Sequence, residues 1–282
     1  MTSLATLAAS AKLSRVGTRP PLLKYLRDFY QRRAFAFTMA RYSLQAATTK
    51  SSLGAAWHVV VPALQIGVYG VIFGVLFSSL RPPHFVPYLM VGIVLFQYIT
   101  GCFTEGARAI TSNGSLVRSL DFPRILLPVS AVVSNALRVV PLIGLMLIGL
   151  VLSGELPSLG WTWLIPDFVL MTMFAAGATM ISARLTVHTE DVNQLLPFVV
   201  RILFYLSGVF WNIDKMIHIA VLKPILHYNP IHLYMAIARA GLIQGYTVTA
   251  MDWIVAAAWA VAILVLGTLF FWQAEEKYGR NV

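Results

Sequence analysis

Charge is what this chain has least of. Only 11% of its 282 residues are Asp, Glu, Lys or Arg, where about a quarter is ordinary for a soluble domain. Hydrophobic residues make up 58%, and the mean hydropathy is +0.75. A water-solvated globular domain is excluded, and a membrane protein is expected. Cysteine is almost missing: Cys102 stands alone inside a hydrophobic run, which rules out a disulfide framework and a thiolate metal site. There is no Gly-rich phosphate loop, because Lys50-Ser51 follows Ala46-Ala47-Thr48-Thr49 with no glycine to form the cradle. ATP is therefore not expected to bind this chain in the usual way. His-Glu-x-x-His, Gly-x-Ser-x-Gly and carboxylates at metal spacing are also absent. Residues 1–20 lack the apolar core and cleavage site of a signal peptide, so the amino terminus is expected to stay in the cytoplasm.

What is present is a series of long apolar runs. At ~20 apolar residues per crossing, an all-α membrane protein with six transmembrane helices is expected, at 57–80, 87–110, 125–152, 161–183, 195–211 and 253–272. The fifth run is short and holds both Pro197 and Arg201. Ahead of the spans, residues 1–21 form a basic tail and 22–56 an amphipathic interface segment. In it Leu22, Leu26, Phe29 and Tyr30 recur at helical spacing against Lys24, Arg27, Asp28 and Arg32. A basic amphipathic helix beside a span lies in the headgroup plane, as a lipid anchor or a docking surface. Residues 57–272 make the transmembrane domain and 273–282 a tail.

The net charge of +10 is read as orientation and attraction to anionic lipid, not nucleic acid. With this topology, fifteen Lys and Arg fall on the side of the termini and four on the other, with Arg138 and Arg201 inside spans. That asymmetry puts both termini in the cytoplasm. The opposite segment, 212–252, is apolar but interrupted by Lys223-Pro224 and Asn229-Pro230. Two short re-entrant outer helices are expected there, lining or gating an exit.

Between the second and third spans lies a short polar loop, 111–124. Helical spacing places Leu116, Val117 and Leu120 on one face, with Arg118 and Asp121 turned away; Ser115 and Phe122 complete the knuckle, and Pro123 stops it. A cytosolic partner is expected to read this helix. Within the spans, Arg138 and Arg201 are candidates to face a path, since an intramembrane arginine costs at least ~2.5–3.5 kcal/mol and seeks a cavity or partner. Glu105 and Arg108 are read as an ordinary i, i+3 pair. Tyr69, Phe73, Tyr98, Phe204 and Tyr205 could line a channel for a sliding sugar chain, although lipid-facing aromatics are common in membrane helices. His188, Glu190 and Asp191 read as a solvated loop rather than a metal site, and His218, His227 and His232 as interfacial histidines.

The order of these features resembles the ABC-2 type permeases that export polysaccharides. Ser52-Leu53-Gly54 with Trp57 and Pro62 is similar to the family's entry to the first span. PYLMVGIVLFQYITGCFTEGARAITSNGSLVRSLDFPRILLP, from Pro87, looks like its second span, coupling helix and third span. Asn229-Pro230, Arg239 and Gly245 match its outer segment. The resemblance implies a half-transporter in the bacterial inner membrane. Two copies of the chain would form a channel, and each would pair with a soluble P-loop ATPase subunit that holds ATP and Mg. Loop 111–124 would be the coupling helix and 212–252 the outer gate helices. The cargo would be a lipid-linked glycan such as O-antigen, capsule, teichoic acid or cell-wall galactan. Arg32, Arg33, Arg41 and Lys50 at the inner mouth would attract the carrier's pyrophosphate. The family's Arg-Tyr, basic, Ser pattern is loosened here to Arg41-Tyr42 with Lys50 and Ser51-Ser52, which points to a different lipid or glycan. Two other readings stay open: a drug or small-lipid permease of the same fold, and an intramembrane glycosyl- or acyltransferase. The latter would need converging carboxylates, and Asp167, Asp214 and Asp252 are dispersed.

Overall fold

A computed structural model describes residues 20–49, 54–76, 82–213, 219 and 221–278. Among them all regular structure is helical. Pro21 caps α1 (Leu22–Gln31), which breaks at Arg32 before α2 (Arg33–Thr49). Then come α3 (Trp57–Val71), which continues into a π-helical turn at Ile72–Leu76, and α4 (Phe85–Ala107). A 3-10 turn at Thr111–Asn113 leads into the short α5 (Gly114–Ser119), followed by α6 (Leu126–Leu152). After a second 3-10 turn at Leu159–Trp163 the chain forms α7 (Leu164–His188) and α8 (Val192–Leu206). The order closes with α9 (Leu222–His227), α10 (Pro230–Leu242), α11 (Ala250–Gln273) and α12 (Glu275–Tyr278).

Among the described residues five stretches are long and apolar enough to cross a bilayer: Trp57–Gly74, Phe85–Ala107, Leu126–Leu152, Leu159–His188 and Ala250–Gln273. The run expected as the fifth of six spans is instead the 15-residue α8. At 1.5 Å per residue it reaches about 22 Å, short of a ~30 Å hydrocarbon core. Its end has a physical cause. Gly208 takes a left-handed φ of +64°, which turns the chain away from the helix axis. The 212–252 segment also differs in detail from its reading: Asn229-Pro230 does separate two helices, whereas Lys223-Pro224 lies in the first turn of α9 rather than between elements. Asn229 accepts from the Ile231 amide at 3.0 Å and Pro230 needs no donor partner at the first helical position, so this pair starts α10.

The axis of the bundle is α4, buried along most of its length against α7, α6, α3 and α10. On its far side α7 packs against α11 at backbone distance, because a side chain on Gly177 would strike the Ile263 carbonyl and one on Gly267 the Gly177 carbonyl. Small residues of this kind let membrane helices gain dispersion contact where lipid offers no hydrophobic drive. A second apolar cluster sits at the end of the bundle that carries both ends of the described chain. It gathers Tyr25, Ile110, Val117, Phe122, Ile125, Phe271 and Tyr278. There the Trp272 indole donates to the Pro20 carbonyl at 2.9 Å.

Candidate functional site

The polar loop at this end is a knuckle with a buried base and an exposed rim. Val117 and Phe122 are buried, Leu116 is half-buried against the same cluster, and Ser115, Arg118, Leu120 and Asp121 are exposed. Leu120 thus leaves the face it was expected to share with Leu116 and Val117. The helix ends at Ser119, and Leu120 takes extended backbone (φ −120°, ψ 142°), which rotates its side chain outward. Three groups of contacts tie the base down. The rings of Phe35 on α2 and Phe122 lie 5.2 Å apart. Arg32, between α1 and α2, donates to the Asp121 carbonyl at 2.5 Å. Below them, Glu275 joins three distant parts of the chain. Its Oε2 accepts from the Tyr25 hydroxyl at 2.7 Å and its Oε1 from the Arg124 amide at 3.0 Å, while Arg124 Nη1 donates to the Glu275 carbonyl at 3.1 Å. The Tyr25 hydroxyl in turn accepts from the Ile125 amide at 3.2 Å.

Burial outweighs these bonds in the electrostatics. It pushes the Glu275 carboxyl above its ordinary value even though Arg124 and Tyr25 pull it down. Burial, then the charge of Glu275, raises the Tyr25 phenol, so this hydroxyl is a donor at any physiological pH. The knuckle, the amphipathic helix and the end of the last span are therefore one hydrogen-bonded unit.

The basic residues of the amino-terminal helices do not gather at one spot. Arg32 is engaged with the knuckle, Arg33 lies over the Tyr30 ring at 4.2 Å and donates to its carbonyl, Arg41 is exposed on α2, and Lys50 lies outside the described residues.

The residues expected along a channel divide into two groups. Tyr69, Phe73, Phe204 and Tyr205 converge on Phe210, with ring centroids 5.9, 4.4, 5.7 and 5.8 Å from it. Arg201 is exposed on α8, the helix that carries Phe204 and Tyr205. Tyr98 and Arg138 instead line a cavity of about 390 Å³ between α3, α4 and α6. Glu105 is ion-paired to Arg138 rather than to Arg108, the expected partner. The i, i+3 spacing did not decide the partner, because Arg138 reaches the carboxylate from the neighbouring α6.

At the opposite end of the bundle α10 and the turn after α8 are pinned by one side chain. Arg239 of α10 is fully buried, and its guanidinium donates to the carbonyls of Tyr88, Gly208 and Val209 at 2.9–3.3 Å while lying 3.4 Å from the Tyr88 ring centroid. It holds the turn that ends α8 against the start of α4. Gly92 is needed beside it, since a side chain there would meet Arg239 and come within 2.7 Å of the Val209 carbonyl.

Compared with known proteins, residues 35–243 match the sequence pattern of ABC-2 type transporters. The chain belongs to the ABC-2 type transporter family. Among curated relatives of this ABC-2 chain, the O-antigen export system permease protein RfbA of Myxococcus xanthus is 24% identical over 265 residues, covering 93% of the chain and 100% of that relative. The protein of the same description from Klebsiella pneumoniae is 25% identical over 182 residues, 64% of the chain and 69% of the relative. In an ABC-2 transporter the permease is the transmembrane component.

Three residues that organise this ABC-2 permease escaped the sequence reading in their structural role. Glu275 was not singled out, Glu105 was read as half of a local pair, and Arg239 only as part of the segment that resembles the family's outer region. Arg239 had a usable signal, since it is the lone charge within an apolar run from Ile231 to Ile243. The partners of Glu275 are 151 and 250 residues away, so no local pattern could point to them.

Proposed function

We propose that this ABC-2 chain is the permease half of an ATP-driven exporter that carries a lipid-linked polysaccharide across a bacterial inner membrane. The observation that carries the reading is the knuckle: an exposed rim of Ser115, Arg118, Leu120 and Asp121 on a base bonded to both terminal segments. A subunit that pushes on such a rim moves the amphipathic helices and the last span with it. The likeness to O-antigen export permeases along nearly the whole chain supports a polysaccharide cargo.

In this reading both termini are cytoplasmic, two copies of the chain pair in the membrane, and each takes one soluble P-loop ATPase subunit that binds ATP and Mg. The 15-residue α8 completes a six-span bundle together with the turn that follows it. Helices α9 and α10 dip into the outer leaflet as gate elements, held by Arg239. The cluster around Phe210 contributes apolar ring faces to the path, and Arg201 and Arg138 flank it. Arg33, Arg41 and Lys50 attract the carrier's pyrophosphate at the inner mouth.

The test replaces two exposed rim residues, Arg118→Glu with Leu120→Asp, in the full chain co-expressed with a P-loop ATPase subunit of an ABC-2 exporter from the same genome. The ATPase is expected to be lost from the purified complex while the permease inserts into membranes at its normal level. Undiminished co-purification of the ATPase would remove the knuckle from the coupling role. Normal surface polysaccharide in a strain lacking the chain would remove the cargo.

A further inference from the structure

The cavity between α3, α4 and α6 has a polar wall that the coupling role does not use. It lies in the half of the bundle nearer the termini, because Trp57 and His58 start α3 and Glu105 is near the end of α4. Polar lining at that depth is costly unless a partner or a water-filled path meets it. The Glu105 carboxylate is held from both sides: Arg138 Nη1 binds Oε1, and Asn135 Nδ2 donates to Oε2 at 2.9 Å. Asn135 Nδ2 also donates to the Ala131 carbonyl at 2.9 Å, which fixes the amide. Its Oδ1 then sits over Gly101, where an added Cβ would come within 2.6 Å of it.

Several polar atoms remain open on this wall. Among the described residues no donor meets Asn135 Oδ1, and Arg138 Nε is buried without an acceptor. Gln97 Nε2 donates to Gln65 Oε1 at 2.6 Å, so Gln97 Oε1 is left to accept. Opposite these, the exposed Trp57 indole lines the same cavity.

We propose that this cavity is a binding subsite for an uncharged glycosyl residue, a reading that rests on the polysaccharide cargo above. Two features select that ligand. A sugar hydroxyl both donates and accepts, which suits a wall of fixed amides with open acceptors beside an arginine N–H. The aromatic face of Trp57 suits the apolar face of a pyranose ring. The charge balance excludes the alternative, an inorganic or lipid pyrophosphate. Arg138, the one Lys or Arg among the described residues lining the cavity, is already paired with the Glu105 carboxylate in contact with it, so a bound polyanion would meet that carboxylate's negative charge with no unpaired cation to offset it. The volume of about 390 Å³ lies within the range of small-ligand pockets. Arg138, expected to face a path, thus serves as a charge-paired hydrogen-bonding group.

The experiment titrates the full chain in lipid nanodiscs with neutral oligosaccharides (maltotriose, mannotriose, galactobiose) and, separately, with inorganic pyrophosphate, reading tryptophan fluorescence. Saturable binding of at least one neutral sugar is expected, with pyrophosphate failing to compete. Gln97→Ala and Asn135→Ala should each weaken it about tenfold, the worth of one or two hydrogen bonds. Val261→Ala, at an exposed position on α11, should leave it unchanged. Thermal unfolding of each variant is recorded alongside, and the half-buried Gln97 keeps the test valid if Asn135→Ala does not fold. Displacement by pyrophosphate, failure of every neutral sugar to bind, or binding indifferent to both substitutions would overturn the subsite. Those results leave the export reading standing if deletion of the chain still abolishes surface polysaccharide. Normal surface polysaccharide after deletion, with sugar binding intact, would do the reverse.

Discussion

Glu275 shows how much one buried carboxylate can carry. It lies at the junction of α11 and α12, yet its two oxygens and its own carbonyl bind Tyr25 and Arg124. Alanine there would strand the Tyr25 hydroxyl and the Arg124 amide in a buried cluster, at about 1–3 kcal/mol for each group left unsatisfied. Glutamine keeps an acceptor and a similar shape. The titration adds a sign. A carboxyl whose folded value lies above its unfolded value binds its proton more tightly in the native state, so its contribution is present at low pH. It is lost as pH rises from the ordinary carboxylate value of 4.5 through the raised one. We expect Glu275→Ala to lower the thermal midpoint in detergent by several degrees. Glu275→Gln should hold it near wild type and flatten the loss of stability expected of wild type as pH rises above 4.5. A wild-type midpoint that rises with pH there would contradict the assignment.

At the scale of elements, the closest approach in the bundle is α7 on α11. Gly177 and Gly267 each face the other helix's backbone, so a methyl group at either one meets main chain, which cannot swing aside as a side chain can. Gly177→Ala is therefore expected to separate the two helices and to cost about 1–3 kcal/mol, the usual range for overpacking. Gly144→Ala on α6, where an added Cβ meets nothing within 4 Å, should be silent or slightly stabilising. Thermal unfolding of both variants in one detergent checks the contrast. The same two helices show what the sequence could tell a reader. Apolar length alone located α3, α4, α6, α7 and α11, because the bilayer imposes that length on anything that crosses it. It overextended α8, since residues 207–211 are as apolar as a span but turn at Gly208 under the hold of Arg239. Asn229-Pro230 was legible as a break because both residues act locally. The knuckle was legible as an amphipathic loop, whereas the clamp beneath it was not, being made of residues from both ends of the chain.

The whole molecule is unevenly clothed. Helices α4, α6 and α7 pack on one another and α11 packs on α7, whereas α3 lies against α4 with its other side almost bare: Leu64, Val68 and Val71 are each more than half exposed. The neighbouring α8 has no buried residue at all, and Leu195, Phe198 and Ile202 stand out from it. These two helices meet through Tyr69 and Phe204, whose ring centroids are 5.3 Å apart. Lipid could cover such a surface, yet the aromatic cluster beneath it would then face no path. A second copy of the chain docked across α3 and α8 would enclose that cluster between two bundles. The single cysteine, Cys102, is fully buried, which leaves a background almost silent to oxidants. We expect Val68→Cys and Ile202→Cys to form disulfide-linked dimers in native membranes under mild oxidation. Val265→Cys, about half exposed on α11, should not. Cross-linking through α11 with none through α3 or α8 would move the paired surface to the other side of the bundle and leave the aromatic cluster facing lipid.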